Sequence, residues 1–295
     1  MVIDVVIPTY NRAQTLRRAL DSVAAQTIRP NSLLIVDDGS TDSTNKIVDD
    51  FNKTHPTLKT QYIYSKNKGV SHARNLGVSK STADWIAFLD SDDEWLPKKL
   101  ELQIDQIKTN PDLQIIHGEE IWIRNGIRVN PHKKHQKSGG SIYAKCLPLC
   151  CISPSTVVIK KSLLKEMEGF REDFPVCEDY DLWLKICAKY PVGFVEIPII
   201  NKHGGHEDQL SQKYFAMDFW RVKSLSEMLA KNQVPKYHIS HAQNILRQKC
   251  DVLLKGYLKH KNLNDFETVQ KIQRTVVGIS ESTNPLSAPT ATSIP

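Results

Sequence analysis

The feature that most constrains the fold is a regular alternation of strand-like and helix-like segments over residues 2–89. Short apolar runs typical of buried strands alternate with segments in which apolar residues recur at helical spacing. The runs cover residues 2–7, 33–36, 62–64 and 85–89. This β-α-β-α order predicts an α/β fold with a mostly parallel sheet covered by helices on both faces. We expect Asn11 to cap the first helix, which has Leu16, Leu20 and Val23 on its apolar face.

Polar motifs follow two of these predicted strands directly. The sequence DDGS begins at Asp37, after the second strand, and DSDD begins at Asp90, after the fourth. Ligands of open parallel sheets bind beyond the carboxyl ends of the strands. We therefore expect Asp38 and the acidic run to meet in one crevice.

The acidic run is a candidate metal site. Asp90, Asp92 and Asp93 lie within four residues, and carboxylates that close repel one another unless a cation or hydrogen-bond donors share the site. Oxygen ligands of this kind suit Mg²⁺ or Mn²⁺, and a bound metal could neutralise a diphosphate leaving group. The alternative is a solvated acidic turn at the start of the helix near Pro97, since acidic residues favour helix N-termini.

The periodic pattern loosens beyond Leu113. Residues 124–145 are basic and contain glycine, and they are predicted to form a mobile loop. Residues 156–160 and 194–200 are typical of strands, and 179–190 of a helix.

Two helical stripes indicate a C-terminal addition. Apolar residues recur at helical spacing over 236–260 and again over 266–276. The final segment, 279–295, is rich in Ser, Thr and Pro, and we predict that it is disordered.

Composition narrows the classes of partner. The net charge of +6 suits anionic partners such as nucleotides or a phospholipid surface but falls short of a nucleic-acid-binding signature. The six cysteines include no C-x-x-C pair, which is typical of reduced thiols in a cytosolic enzyme. No apolar stretch approaches the roughly 20 residues that span a bilayer. We predict a cytoplasmic protein with no nucleic-acid partner; peripheral contact with the cytoplasmic face of the membrane and a homo-oligomer stay open.

Five short motifs, in order and at matching spacing, give the chain a family resemblance. They are VVIPTYN at 5–11, VDDGSTD at 36–42, GVSHARN at 69–75, FLDSDD at 88–93 and the pair Glu178-Asp179. Over roughly residues 2–215 the sequence resembles the family 2 glycosyltransferases. That resemblance implies a GT-A fold, a Rossmann-like and mostly parallel sheet flanked by helices, here followed by the C-terminal helical region.

The resemblance also implies a donor and a metal. The donor would be a UDP-sugar, with Asp38 accepting a hydrogen bond from the uracil, and the cofactor Mn²⁺ or Mg²⁺. Asp90 would approach the ribose or the metal, and Asp92 would coordinate the metal. His206 would complete the metal site, with His203 in reserve. The residues expected to bind the nucleotide-sugar are Pro8, Thr9, Tyr10, Arg12, Asp38, Arg74, Asp90, Ser91 and Asp92.

The same resemblance implies an inverting mechanism and a division of the chain. Asp179 would be the general base, at a helix N-terminus that favours a negative charge, and Glu178 would orient the acceptor or the loop. The predicted function is transfer of a hexosyl or N-acetylhexosaminyl group to a hydroxyl of a glycan or other acceptor in polysaccharide or glycan synthesis. The predicted regions are a nucleotide-sugar-binding half at 1–115, an acceptor-binding and catalytic half at 116–220, a helical region at 221–278 and the tail at 279–295.

Two other functions are weighed against this one. A nucleotidyltransferase of related topology would carry a Gly- and Lys/Arg-rich loop after the first strand, and PTYNRAQT is not such a loop. A non-catalytic nucleotide-binding module would be expected to lack the acidic run or Asp179, and both are present. The identities of the sugar and of the acceptor cannot be read from the sequence.

Overall fold

A nine-stranded sheet organises the first 215 residues in the part of the chain that the structure describes. The structure is a computed structural model, and it describes residues 1–130, 132, 135–205 and 216–282. The strands are Ile3–Thr9 (β1), Ser32–Asp37 (β2), Thr60–Tyr64 (β3), Trp85–Phe88 (β4), Glu94–Trp95 (β5), Ile115–Arg124 (β6), Ile127–Val129 (β7), Val158–Lys160 (β8) and Gly193–Gly204 (β9).

Helices connect many of these strands. In the first unit they are Leu16–Ala24 (α1), Thr44–Thr54 (α2), Val70–Lys80 (α3), Lys99–Thr109 (α4), Tyr143–Cys146 (α5), Lys161–Glu166 (α6) and Glu178–Lys189 (α7), with a 3₁₀ turn at Pro154–Thr156. In the second unit, residues 216–295, they are Asp218–Ala230 (α8), Ile239–His260 (α9) and Leu263–Ser282 (α10), with a 3₁₀ turn at Lys236–His238.

The sheet is mixed rather than mostly parallel. Its order is β3-β2-β1-β4-β8-β6-β9-β5, and β7 pairs with β6. The first four strands are parallel, as predicted, and so are β6 and β9. However, β8 lies antiparallel to both β4 and β6, and β5 antiparallel to β9. The early strands are joined by helical crossovers, which parallel neighbours require, whereas β8 follows a loop that imposes no direction.

The core explains why the first strands are continuous apolar runs. Every residue of β1, β2 and β4 is buried, because helices cover both faces of the parallel part. Gly77 lets α3 lie directly on the sheet, since a Cβ there would overlap the Val6 side chain. This close approach places Arg74, one turn earlier on α3, near the carboxyl ends of the strands.

The cap predicted at Asn11 is wrong. Helix α1 begins only at Leu16, with Thr15 at its N-cap. Asn11 instead adopts a left-handed backbone (φ 52°) and binds the loop after β2. Its side-chain oxygen accepts from the Thr41 N–H at 2.8 Å, and its own N–H donates to Ser40 Oγ at 2.8 Å.

The predicted mobile loop at 124–145 is partly regular structure. Strand β6, which the sequence pattern missed, ends at Arg124 and turns through Asn125 and Gly126 into β7. The period of β6 is obscured because it buries charge: Glu120 Oε1 lies 3.3 Å from Lys137 Nζ. Such a buried charged pair hides the apolar alternation that marks a strand.

The C-terminal unit contains one helix more than predicted within its described residues. The apolar stripe of α9 packs against α8 and α10, and α8 was not expected. The unit begins at residue 216 rather than 221. Residues 279–282 belong to α10 rather than to a disordered tail, and the rest of that predicted tail lies outside the described residues. Among the described helices, none combines the length and apolar character needed to cross a membrane.

Candidate active site

The side chain of Arg74 joins the acidic turn after β4 to the start of α7. Its Nη2 donates to Asp90 Oδ1 at 2.7 Å, and its Nη1 donates to Glu178 Oε1 at 2.6 Å. Arg74 is 3% exposed. We expected this guanidinium to contact a base or phosphate, but both of its terminal nitrogens are bound to carboxylates of the chain. The planar two-pronged donor is suited to such a bridge, whereas a lysine ammonium is not.

The four residues of the acidic turn have different surroundings. Asp90 and Asp92 are partly exposed, while Ser91 and Asp93 are buried. Asp93 accepts hydrogen bonds from the Ser155 hydroxyl at 2.6 Å and from the His203 N–H at 2.9 Å. Burial and the neighbouring carboxylates raise the pKa of Asp93 well above its ordinary value. Asp93 therefore holds the turn in place, and the accessible carboxylates are those of Asp90 and Asp92.

Ser155, in the 3₁₀ turn Pro154–Thr156, is a second anchor of the acidic turn. Its hydroxyl donates to Asp93 and accepts from the Asp90 N–H at 3.1 Å. Its carbonyl accepts from the indole N–H of Trp95 at 2.8 Å. Sequence reasoning missed Ser155 because ISPST contains no motif that identifies a partner.

Asp38 lies at the end of β2, beside the end of β1, as predicted. Its N–H donates to the Thr9 carbonyl at 2.8 Å. Its carboxylate, 4% exposed, accepts from the N–H groups of Lys68 at 2.9 Å and Gly69 at 2.7 Å. Burial raises the pKa of Asp38, although these two hydrogen bonds oppose the shift. The preceding Asp37 is structural, binding the Ser40 N–H at 2.7 Å and the Tyr62 hydroxyl.

The end of β1 carries one buried hydroxyl without a partner in the described part of the chain and one exposed aromatic ring. The Thr9 hydroxyl is buried and has no hydrogen-bond partner among the described residues. The Tyr10 side chain is 47% exposed. The N–H of Arg12 donates to Thr44 Oγ1 at 3.2 Å. Pro8, by contrast, is a buried residue of β1.

The two carboxylates at the start of α7 have different partners. Glu178 is buried against Arg74, and its pKa is raised to about 7 by burial and by the neighbouring Asp179, against the effect of Arg74. Asp179 is partly exposed. One of its oxygens accepts from the Tyr180 N–H at 2.7 Å, and the other lies 3.4 Å from Cys150 Sγ. The adjacent helix N-terminus favours negative charge here.

The predicted histidine ligands are placed only in part. His206 lies outside the described residues. The backbone N–H of His203 donates to Asp93, and the imidazole Nε2 of His203 lies 3.6 Å from Glu94 Oε2. Burial and the nearby Arg18 cation lower the pKa of His203, so neutral imidazole is favoured. Within the described ranges, no group of three or more His, Cys, Asp or Glu side chains is arranged to hold a metal.

A groove lies elsewhere in the first unit. It has a volume of about 830 Å³ and is lined by α3, α6 and the beginning of β4, including Val78, Trp85 and Lys161. Trp85 is the first residue of β4, at the end opposite the acidic turn. Chemistry and strand polarity, rather than volume, therefore favour the sheet edge that carries Asp38 and Asp90 as the candidate site.

Comparison with known sequences identifies the family. A model of glycosyl transferase family 2 matches residues 4–167, which include Asp38, the acidic turn and all of β1 but its first residue. The chain belongs to this family. The predicted membership of the family 2 glycosyltransferases is thereby confirmed.

Relatives of this family 2 chain differ in length. It is 35% identical over 185 residues to the UDP-Glc:alpha-D-GlcNAc-diphosphoundecaprenol beta-1,3-glucosyltransferase WfgD of Escherichia coli, covering 63% of this chain and 69% of WfgD. Three curated relatives from Rickettsia species are longer, and the match covers 27–31% of their length.

Two solved structures show the same fold. Residues 1–349 of TarS of S. aureus, in complex with UDP-GlcNAc, superpose with a TM-score of 0.67 at 18% identity, covering 93% of this chain and 92% of that TarS chain. The mannosyltransferase PcManGT of Pyrobaculum calidifontis, in complex with GDP-Man and Mn²⁺, gives a TM-score of 0.58 at 19% identity, covering 96% and 76%. The predicted GT-A fold is confirmed.

Proposed function

We propose that this family 2 glycosyltransferase moves a sugar from a UDP-sugar to a hydroxyl of a glycan acceptor, with inversion at the anomeric carbon. The observation that carries the proposal is the Arg74 bridge, with Nη2 bound to Asp90 and Nη1 to Glu178. This bridge holds the acidic turn close to Asp179. The acidic turn is suited to a donor diphosphate, and Asp179 is suited to act as a base. A donor and an acceptor bound there would meet in one crevice.

The groups at the ends of β1 and β2 support a uridine nucleotide. The Thr9 hydroxyl has no partner among the described residues, and the exposed Tyr10 ring can stack on a base. Asp38 can accept a further hydrogen bond, because a carboxylate has more acceptor positions than its two backbone contacts use. The name of WfgD specifies UDP-Glc, and TarS is seen with UDP-GlcNAc. Both support the assignment of UDP.

Asp90 and Asp92 fit a divalent cation. They are the partly exposed carboxylates of the turn, and their hard oxygen donors suit Mg²⁺ or Mn²⁺. The metal would neutralise the negative charge of the departing diphosphate. His206 is the proposed third ligand and His203 the reserve; the Mn²⁺ bound to PcManGT supports this class of metal.

Asp179 is the proposed base, because Glu178 is held by Arg74 and buried. As the acceptor oxygen forms its bond to the anomeric carbon, Asp179 takes the hydroxyl proton. The bond between that carbon and the diphosphate oxygen breaks, and UDP leaves with the electron pair. A single displacement of this kind inverts the anomeric configuration.

The function is tested by UDP release from a panel of UDP-sugars, with and without Mn²⁺. A GlcNAc-diphosphate-lipid is a first acceptor, since the name of WfgD specifies such a substrate. Transfer is expected only with donor, acceptor and metal together, and NMR of the product should show inversion. Pyrophosphate release from a nucleoside triphosphate and a sugar phosphate would instead indicate a nucleotidyltransferase. Tight UDP binding with no product from any donor would indicate a binding module.

A further inference from the structure

One short segment, Cys150 to Ser155, contacts both halves of the candidate site. At one end, the Ser155 hydroxyl binds Asp93 and the Asp90 N–H in the acidic turn. At the other end, the Cys150 thiol donates to Asp179 Oδ2, with Sγ to Oδ2 at 3.4 Å. The segment therefore connects the acidic turn, where we propose that the donor binds, to Asp179, the proposed base.

The contact with Cys150 completes the fixation of the Asp179 carboxylate. Oδ1 accepts from the Tyr180 N–H at 2.7 Å, within α7 itself. Oδ2 is held from outside the helix, by the thiol. Among the described residues, the hydrogen bond that would remain without Cys150 is the one within α7, and the carboxylate could rotate about its side-chain bonds.

We propose that Cys150 is a positioning residue for Asp179, whose thiol holds the base carboxylate in the orientation that receives the acceptor proton. This inference rests on the proposed function. In this role Cys150 acts through Asp179. The thiol has a second acceptor, the Ile152 carbonyl at 3.2 Å, so its single hydrogen is shared between the base and its own loop.

A neutral thiol suits this task. Burial and the adjacent Asp179 raise the pKa of Cys150 well above its ordinary value, so the thiol keeps the hydrogen that it donates. A cationic donor would add Coulombic attraction, which favours the ionised form of the carboxylate and makes it a poorer base. The two adjacent carboxylates are thus treated differently: Arg74 fixes Glu178 as an ion pair, and Cys150 orients Asp179 with a weak donor.

The test measures kcat and KM for the Cys150→Ala and Cys150→Ser variants of the full chain. We expect Cys150→Ala to lower kcat by about tenfold, since small displacements of catalytic groups are costly, with KM for the UDP-sugar within about twofold. Cys150→Ser restores a donor and should stay within roughly threefold of the wild type. Cys151→Ala is the matched control, because that thiol contacts the carbonyl of Lys145 at 3.1 Å rather than the base.

A double-mutant cycle separates positioning from general damage to the fold. In an Asp179→Asn background, Cys150→Ala should cause no further loss, because the group that it orients no longer acts as a base. Wild-type kcat in Cys150→Ala, or an equal loss in both backgrounds, would overturn the inference while the proposed function stands. Absence of transfer by the wild-type chain with every donor would instead overturn the proposed function.

Discussion

Arg74 and Glu178, 104 positions apart in the sequence, form a buried ion pair in which Nη1 lies 2.6 Å from Oε1. The same guanidinium binds Asp90, so one side chain holds an element of each half of the site. Replacing it with Met would leave two carboxylates without their cation. We expect Arg74→Met to lower the free energy of unfolding by about 3–5 kcal/mol, the usual cost of breaking a buried pair.

Urea unfolding checks this expectation. Arg17→Ala is the control, because Arg17 pairs with Asp21 on the exposed side of α1 and should cost less than about 1 kcal/mol. Arg74→Lys should fall between the two, since an ammonium cannot reach both carboxylates in the same geometry. An unchanged unfolding midpoint in Arg74→Met would contradict the bridge.

The same substitution should affect transfer at Asp92 and stability at Asp93. Asp92→Asn is expected to lower metal-stimulated transfer by at least about a hundredfold, since a bound metal contributes several kcal/mol to stabilising the leaving group. Asp93→Asn should keep the metal response but lose stability by about 1–3 kcal/mol, because its carboxylate accepts from Ser155 and His203. EDTA should abolish wild-type transfer, and Mn²⁺ or Mg²⁺ should restore it. Full activity in excess chelator would refute the metal assignment.

Asp179→Asn tests the base directly. The amide keeps the shape of the side chain but cannot take the proton, so transfer should fall by at least about a hundredfold with nearly normal UDP binding. Calorimetry and steady-state rates give the two quantities. If most of the rate survives, or if NMR shows retention of configuration, the single-displacement mechanism is wrong.

Asp38 is expected to set the preference for uracil. UDP should bind more tightly than GDP, and Asp38→Ala should reduce the difference by about 1–3 kcal/mol through loss of a buried acceptor. Isothermal calorimetry with UDP and GDP measures this difference in binding free energy. The control is Asp21→Asn, on the exposed side of α1. Tighter binding of GDP or CMP by the wild type would show that the pocket was assigned wrongly.

Asp4 gives a stability prediction that does not depend on catalysis. Burial alone would raise its pKa, but hydrogen bonds from Ser81, Ser32, Asn31 and Thr82 outweigh burial and lower it. The stabilisation from a lowered pKa is complete above the unfolded-state value and is lost as the pH falls through the folded-state value. Asp4→Asn should therefore cost about 2–3 kcal/mol near pH 7. Urea unfolding at decreasing pH should show this difference narrowing below about pH 4; a constant difference would contradict the assignment.

Local sequence patterns were sufficient for the first half of the fold. A parallel sheet with helical crossovers produces continuous apolar runs and periodic helices, and both are visible without knowledge of any partner. The polar motifs after β2 and β4 were placed correctly because strand polarity alone brings their ends to one edge. Strand β6 was missed, since its buried Glu120 is stabilised by Lys137 and Lys202, which are distant in the sequence.

The roles of individual side chains were decided by tertiary structure. Asp92 and Asp93 are chemically identical neighbours, and only the contacts from Ser155 and His203 make Asp93 a structural residue. Arg74 resembled a ligand-binding side chain until its partners on the acidic turn and α7 were known. The sequence by itself determined which elements form and which polar groups end them, because those depend on neighbours along the chain. Which carboxylates remain available for chemistry depends on burial and on distant partners, which only the folded chain brings together.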